Sequence, residues 1–300
     1  MSGDVTSRAD HALARNDRWR SLRVSISRDL FGWIGLVVLA LAVLAALLAP
    51  WIAPHNPVEQ SVVDRFLPPA WVDGGEAEFL FGTDHLGRDV LTRTLYAGRV
   101  SLSIGLVTAI CAALIGVTLG IIAGFREGLV GTVVMRLVDI QTAFPFLVIA
   151  IAVVAVVGPS VPTLIATLTF WTWVPFARVA QGSVLKIKHQ EYIAAARMAG
   201  TSTGKILLRH VLPNALPPLL VIWTFAIAQV IVAESALSFL GLGIQPPTPT
   251  WGSMVSQGRQ HLDIAWWAAT VPALAIVAVV LAVNLVGDWL RDRFDPQLST

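Results

Sequence analysis

Long stretches without a single charged residue constrain this chain more than any other feature. The hydrocarbon core of a bilayer is about 30 Å thick and a helical residue rises about 1.5 Å, so one crossing needs about 20 apolar residues. Residues 30–50 and 100–125 contain no Asp, Glu, Lys or Arg, and each is long enough to cross once. A third run, 140–177, is too long for one crossing and is interrupted at Gly158-Pro159-Ser160-Val161-Pro162. Proline and glycine there favour a turn, so the run reads as two spans joined by a tight hairpin. Val211 to Leu240, with Glu234 near its far end, and Ile264 to Gly287 complete the set. With 55% hydrophobic residues, 13% charged and a mean hydropathy of +0.71, water cannot be the solvent for most of the chain. The predicted fold class is all-α integral membrane, with six transmembrane helices.

Arginine and lysine near span ends favour the cytoplasmic side. The tail over 1–29 holds Arg8, Arg15, Arg18, Arg20, Arg23 and Arg28, the segment 186–210 holds Lys186, Lys188, Arg197, Lys205 and Arg209, and the tail over 291–300 adds Arg291 and Arg293. Within 51–99, Arg65, Arg88, Arg93 and Arg99 stand among seven acidic residues, and the last outer loop has Arg259 alone. Both termini are therefore expected in the cytoplasm, with a first span at 30–50, an extracytoplasmic segment at 51–99 and a core of five spans over 100–290. The net charge of +2 expresses this asymmetry and points to no nucleic-acid partner. The first apolar run is too long for the core of a cleavable signal, and Ala49-Pro50-Trp51 is a poor cleavage site, so it reads as a retained span. Cys111, the one cysteine, lies inside span two and has no partner for an internal disulfide.

The outer segment begins rich in proline and reads as extended loop, whereas Asp84 to Tyr96 has Leu86, Val90, Leu91 and Leu95 at helical spacing. That pattern predicts an amphipathic helix lying on the membrane surface. In span two, Gly116, Gly120 and Gly124 form a small-residue stripe that either relieves crowding inside the bundle or meets another subunit. Most tryptophans fall toward span ends and outer loops and read as interfacial anchors. Charges inside spans are costly and face an interior or a cavity. Arg136 and Asp139 are three apart, so they can pair along one helix, as a structural ion pair or as a pathway contact. Glu234 falls near the outer mouth and either lines a gate or caps packing.

No His/Cys/carboxylate set has metal-ligand spacing, and there is no G-x-S-x-G elbow, so no enzyme site is read. Ala199-x-x-x-x-Gly204-Lys205-Ile206 only approximates a phosphate-binding loop: Ile206 lacks the hydroxyl that would hold Mg²⁺, and no strand precedes it.

The most informative stretch is Glu191 to Asn214, EYIAAARMAGTSTGKILLRHVLPN. It predicts a short helix over Glu191–Ala199, a turn at Gly200 with positive φ, and a second helix over Lys205–Val211 before Pro213 opens span five. A helical hairpin between two spans is a lever, useful only if something cytoplasmic grips it. The stretch resembles the cytoplasmic loop of ABC importer permeases, E-A-A-x-x-x-G, nine residues, then I-x-L-P. Ala195, Ala196, Gly200, Leu212 and Pro213 fall on that pattern, while Ala194 stands at its glutamate and His210 at its isoleucine. The form E-Y-x-x-A-A-R-x-x-G, with the acid at Glu191, is similar to the peptide-type branch, as are FGTDHLGRDVLTRTLYAGRVSLSIGL, SFLGLGIQPPTPTWGSMVSQGR and NLVGDWLRDRFDP. The resemblance, to the C-type permeases of dipeptide and oligopeptide systems, covers nearly the whole chain from span one onward.

It implies a type I importer permease of a bacterial inner membrane, with Glu191, Tyr192, Ala195, Ala196, Arg197 and Gly200 engaging ATPases and Arg136, Asp139 and Glu234 as pathway or gate candidates. The implied partners are a second homologous permease, two ATPase subunits that bind ATP and Mg²⁺, and an extracytoplasmic substrate-binding protein. No cofactor is expected in this chain. Related importers carry nickel or other small solutes, so the resemblance leaves the substrate open. The competing reading is a self-sufficient secondary transporter or channel, which needs charges or broken helices at the midplane; Asp139 is its candidate. A membrane-embedded enzyme ranks third. A reporter fused after Thr300 and a tag in the Gly74-Gly75 loop should lie on opposite sides of the membrane, and an accessibility assay that finds both on one side contradicts the six-span reading.

Overall fold

The computed structural model describes residues 29–126 and 128–294. Most of the basic tail and the residues from 295 on lie outside the described residues. In chain order the helices are α1 (Asp29–Ile52), α2 (Val90–Phe125), α3 (Leu129–Thr142), α4 (Phe146–Val157), α5 (Val161–Lys188), α6 (Glu191–Met198) and α7 (Thr203–Ile206). A π turn over Leu207–Val211 leads into α8 (Leu212–Phe239), followed by α9 (Trp251–Gly258), α10 (Leu262–Ala265) and α11 (Trp267–Phe294). Among the described residues there is no strand, only an isolated bridge between Thr83 and Asp89.

Among the described residues four helices are long and apolar enough to cross a bilayer: α1, α2, the continuous helix Thr203–Phe239, and α11. The α3–α4 pair, bent by 86°, makes a fifth if taken as one broken span. α5 has the length, 28 residues, but not the hydropathy. Its threonines explain the shortfall: Thr163, Thr167, Thr169 and Thr172 are buried, so the polar face of α5 is enclosed by protein and need not suit lipid. The predicted all-helical membrane class therefore stands, with four to five apolar spans.

The centre of the bundle is the contact of α2 with α5. A Cβ on Gly116 would collide with the Trp173 carbonyl and reach 2.6 Å from Phe176 Cβ. One on Gly120 would strike the Ala177 carbonyl and lie 2.7 Å from Ala180, and one on Gly124 would lie 2.8 Å from Val184. The stripe thus brings two helices of one chain to backbone contact. α8 closes this core with Ala215, Leu219 and Ala226, and a second core forms where α2, α8, α9 and α11 meet through Val90, Ile231, Trp251, Trp267 and Val279.

The outer segment departs from the predicted surface helix. Asp89 caps α2 at Val90 by accepting from the Leu91 and Thr92 amides, and Gly87 at φ +72° turns the chain just before it. Val90 to Tyr96 is therefore the first part of the 36-residue α2. The charges between its apolar positions are buried: Arg88 Nε donates to Asp84 Oδ2 at 2.8 Å, Arg93 Nε lies 3.5 Å from the same oxygen, and Arg88 reaches Gln257 at 3.1 Å. Paired charges, not water, satisfy the polar side of the pattern. Three tryptophans also depart from the anchor reading. Trp173, Trp251 and Trp267 are buried, and their indole N–H groups donate to Gln141, Thr94 O and Thr83 O.

Overpacking the α2–α5 contact should cost about 1–3 kcal/mol or more. Gly120→Leu is expected to lower the level and melting temperature of the detergent-solubilised chain, whereas Gly182→Leu on α5, where a Cβ meets nothing within 4 Å, should leave both unchanged.

Candidate functional site

The predicted cytoplasmic hairpin is formed, and its geometry follows from a few side chains. α6 spans eight residues, with Glu191 in its first turn and Arg197 in its last, matching the helix dipole. Gly200 follows at φ +74°, the Gly200 amide donates to Arg197 O at 3.0 Å, and the Thr201 amide donates to Ala196 O at 3.1 Å. This pair of bonds satisfies the last carbonyls of the helix and requires a left-handed residue, which glycine adopts without a Cβ penalty.

The second arm differs from the predicted separate helix. α7 passes through the π turn and into α8, giving one continuous helix from Thr203 to Phe239. Pro213 has no N–H and its ring crowds the carbonyl four residues earlier; the widened turn at Leu207–Val211 absorbs that misfit, so the helix continues.

Ile193 anchors the hairpin. It is fully buried with Ile206, Val184, Ile187 and Val211, and Ala196 packs against this cluster together with Phe125. Arg197 lies over the Phe125 ring at 5.4 Å and Tyr192 sits 6.0 Å from the His210 ring, so both long side chains fold back onto the bundle. The outward face is Glu191, Ala194, Ala195 and Met198, all exposed. Of the predicted contact residues, Ala195 is thus on the free face, whereas Ala196 is half-buried against the chain itself.

The pathway candidates do not form one cluster. Arg136 and Asp139 do not pair. α3 packs on α5, and Asp139 reaches across to Arg178, with Arg178 Nη2 at 3.2 Å from Asp139 Oδ1 and 3.5 Å from Thr142 Oγ1. Arg136 instead lines a cavity of about 370 Å³ together with Thr132, Asp139 and Gln181. Glu234 is fully buried; its Oε1 accepts from Ser238 at 2.7 Å, and its Oε2 has no hydrogen-bond partner among the described residues.

Outside the bundle, the Asp84–Arg88–Arg93 network holds the outer segment to α9. His85 stacks on His261 at 5.5 Å. Burial lowers the His85 pKa below the ordinary histidine value against the pull of Asp84, with Arg88, His261 and Arg93 adding to the lowering, which favours the neutral form of His85. Among the described residues no group of three or more His, Cys, Asp or Glu is placed to hold a metal ion.

Sequence reasoning missed Arg178, Ile193 and Ile206. Arg178 directly follows Ala177, where the charge-free run ends, and only the extent of α5 to Lys188 places it inside a helix.

The family model for binding-protein-dependent transport system inner membrane components matches residues 116–300, and that for the N-terminal TM domain of oligopeptide transport permease C matches 17–69. The chain is 42% identical to the di/tripeptide transport system permease protein DppC of Pseudomonas aeruginosa over 88% of each chain. It is 43% identical to the dipeptide transport system permease protein DppC of Escherichia coli over 89% of each. A structure of the MetNI methionine ABC transporter in an inward-facing conformation aligns with a TM-score of 0.55 at 20% identity, over 65% of this chain and 93% of that one, which shows a shared fold. With a family match over more than half of its residues and relatives above 40% identity along most of its length, this chain belongs to the binding-protein-dependent transport system inner membrane components.

Proposed function

We propose that this chain is the permease subunit of an ATP-driven importer for dipeptides or oligopeptides, forming half of the translocation pathway. It would cross the membrane six times, with α5 as the protein-enclosed span and both termini in the cytoplasm. Two ATPase subunits would supply the energy and bind ATP and Mg²⁺. A second, homologous permease would complete the pathway, and an extracytoplasmic binding protein would deliver solute to the outer segment and α9.

The observation that carries this reading is the hairpin. An exposed helix bolted through Ile193 and Ile206 to the ends of α5 and α8 has no internal purpose that a short loop would not serve. Gripped from outside, it moves two spans at once. Peptide as the solute rests on the names of the relatives.

A secondary transporter draws some support from the 86° break beside Asp139, but it leaves the hairpin without a role. The two readings differ in one assay. Expressed alone the chain should take up no peptide, and uptake should need the second permease, ATPases and ATP; uptake by the chain alone would favour the secondary transporter.

On the hairpin, Ala195→Glu places bulk and charge on the free face of α6 and leaves the Ile193 anchor intact. Gly200→Val strains a residue at φ +74° by about 1 kcal/mol or more. Both variants should reach the membrane at normal levels yet lose ATP-driven uptake, with ATPase subunits that copurify weakly or hydrolyse without responding to the loaded binding protein. Normal uptake by Ala195→Glu at normal expression contradicts a gripped helix.

A further inference from the structure

α1 meets the rest of the bundle closely near its two ends and loosely in between. Toward its start Gly32 and Gly35 are buried: Trp33 packs on Trp289 with ring centroids 6.3 Å apart, and a Cβ on Gly35 would lie 2.8 Å from the Ala282 carbonyl oxygen of α11. Toward its end Ala46 and Ala49 are buried, and a Cβ on Gly98 of α2 would lie 3.4 Å from Ala46 Cβ. Between these contacts Leu39 and Ala42 are half-buried and Val43 is 37% exposed.

The gap is a cavity of about 490 Å³ walled by α1, α2, α8 and α11. Leu39 and Val43 of α1, Leu102 of α2, Ile227 of α8, and Val283 and Val286 of α11 line it. Each of these positions falls within a stretch of its helix that carries no charge, so the groove belongs to the hydrocarbon region of the membrane. The hydroxyls in its wall are satisfied by their own helices: Ser103 Oγ donates to Arg99 O, and Thr224 Oγ1 donates to Val221 O at 2.7 Å. They hold no water there, and a greasy cavity takes hydrocarbon in preference to water.

One charge stands at the groove. Arg99 directly precedes the charge-free run 100–125, which puts it at the edge of the hydrocarbon, where lipid phosphates lie. Its guanidinium has no carboxylate partner among the described residues and lies 6.0 Å from the Tyr96 ring. Because Ala46 meets Gly98, Leu47 is level with Arg99, and the groove runs from there along α1 to Leu39. That is roughly 12 Å, most of one leaflet of a core roughly 30 Å thick.

We propose that this groove holds one acyl chain of a bilayer phospholipid, whose phosphate binds Arg99. The planar guanidinium suits a phosphate, and the tail fills the space that α1 leaves. A protein helix does not fit there: with side chains it is about 10 Å across, and α1 is fixed to the bundle at both ends of the gap. A lipid tail therefore completes the seating of the first span. Such a site needs a membrane-inserted chain and is independent of the solute carried.

Native mass spectrometry tests it on the full-length chain, exchanged into a detergent that strips loosely held lipid and then incubated with phosphatidylglycerol. The unmutated chain should keep one phosphatidylglycerol. Arg99→Gln should lower that occupancy several-fold, and Val43→Trp, which fills the groove, should abolish it. Leu114→Trp, on α2 outside the groove at a position 66% exposed, should leave it unchanged. Arg99→Gln changes an exposed side chain, so it reads out the site even if Val43→Trp does not fold.

No lipid retained by the unmutated chain overturns the proposal. Occupancy unchanged by Arg99→Gln overturns the phosphate contact, and occupancy unchanged by a folded Val43→Trp overturns the groove. A cross-link from Val43→Cys, in a Cys111→Ala background, to a coexpressed second permease places protein at this face and also overturns it.

Discussion

Everything else in the bundle is arranged around the backbone contact of α2 with α5 at Gly116, Gly120 and Gly124. Lipid tails are as apolar as leucine, so hydrophobicity does not hold spans together; close packing and polar links do. The glycine stripe supplies the packing. Polar links add to it: the Trp173 indole donates to Gln141 of α3, and at the Lys188 end of α5 the Lys188 Nζ donates to Gly124 O of α2 at 2.9 Å. At the N-terminal end of α2, the buried Asp84–Arg88–Arg93 network and Trp251 tie it to α9. The result is a stiff two-helix strut with defined attachments at both ends.

That strut is also what the hairpin is fixed to. α6 is short and would not hold a helical conformation by itself. It is held by Ile193 among residues of α5, α7 and the π turn, by the Arg197 contact to Phe125 of α2, and by the hydrogen bonds around Gly200. α6 is thereby in contact with three long helices, α2, α5 and the continuous helix Thr203–Phe239. The weak point of the bundle lies elsewhere, at the α3–α4 break, where the backbone ladder is interrupted beside an exposed ion pair. A stiff strut next to a broken span is the arrangement that lets one part of a bundle move against another.

The apolar runs, the hairpin and its Gly200 turn were legible in the sequence because each rests on local rules: charge-free length, helix ends and positive φ. What was not legible depended on partners distant in sequence. The alternation around Arg88 and Arg93 suits a surface helix as well as a helix whose charged side meets Asp84 and Gln257; only the fold distinguishes them. Arg178 carried no signal because the span was measured by its charge-free part, which stops at Ala177, yet the helix runs on to Lys188. Asp139 had a plausible partner three residues away and found a different one on another helix. The break before Phe146 carries one proline, Pro145, inside the part of the run before Gly158 that reads as a single span.

The central claim is that force enters this chain through α6. Cross-linking from its free face tests that directly. Met198 is 91% exposed and points away from the anchor cluster, so Met198→Cys in a Cys111→Ala background offers the chain's one thiol at that surface. In the assembled complex, a short bifunctional thiol reagent should give a product joining this chain to an ATPase subunit, in an amount that changes when ATP is added. A complex that transports peptide but yields no such product, with or without ATP, contradicts the account.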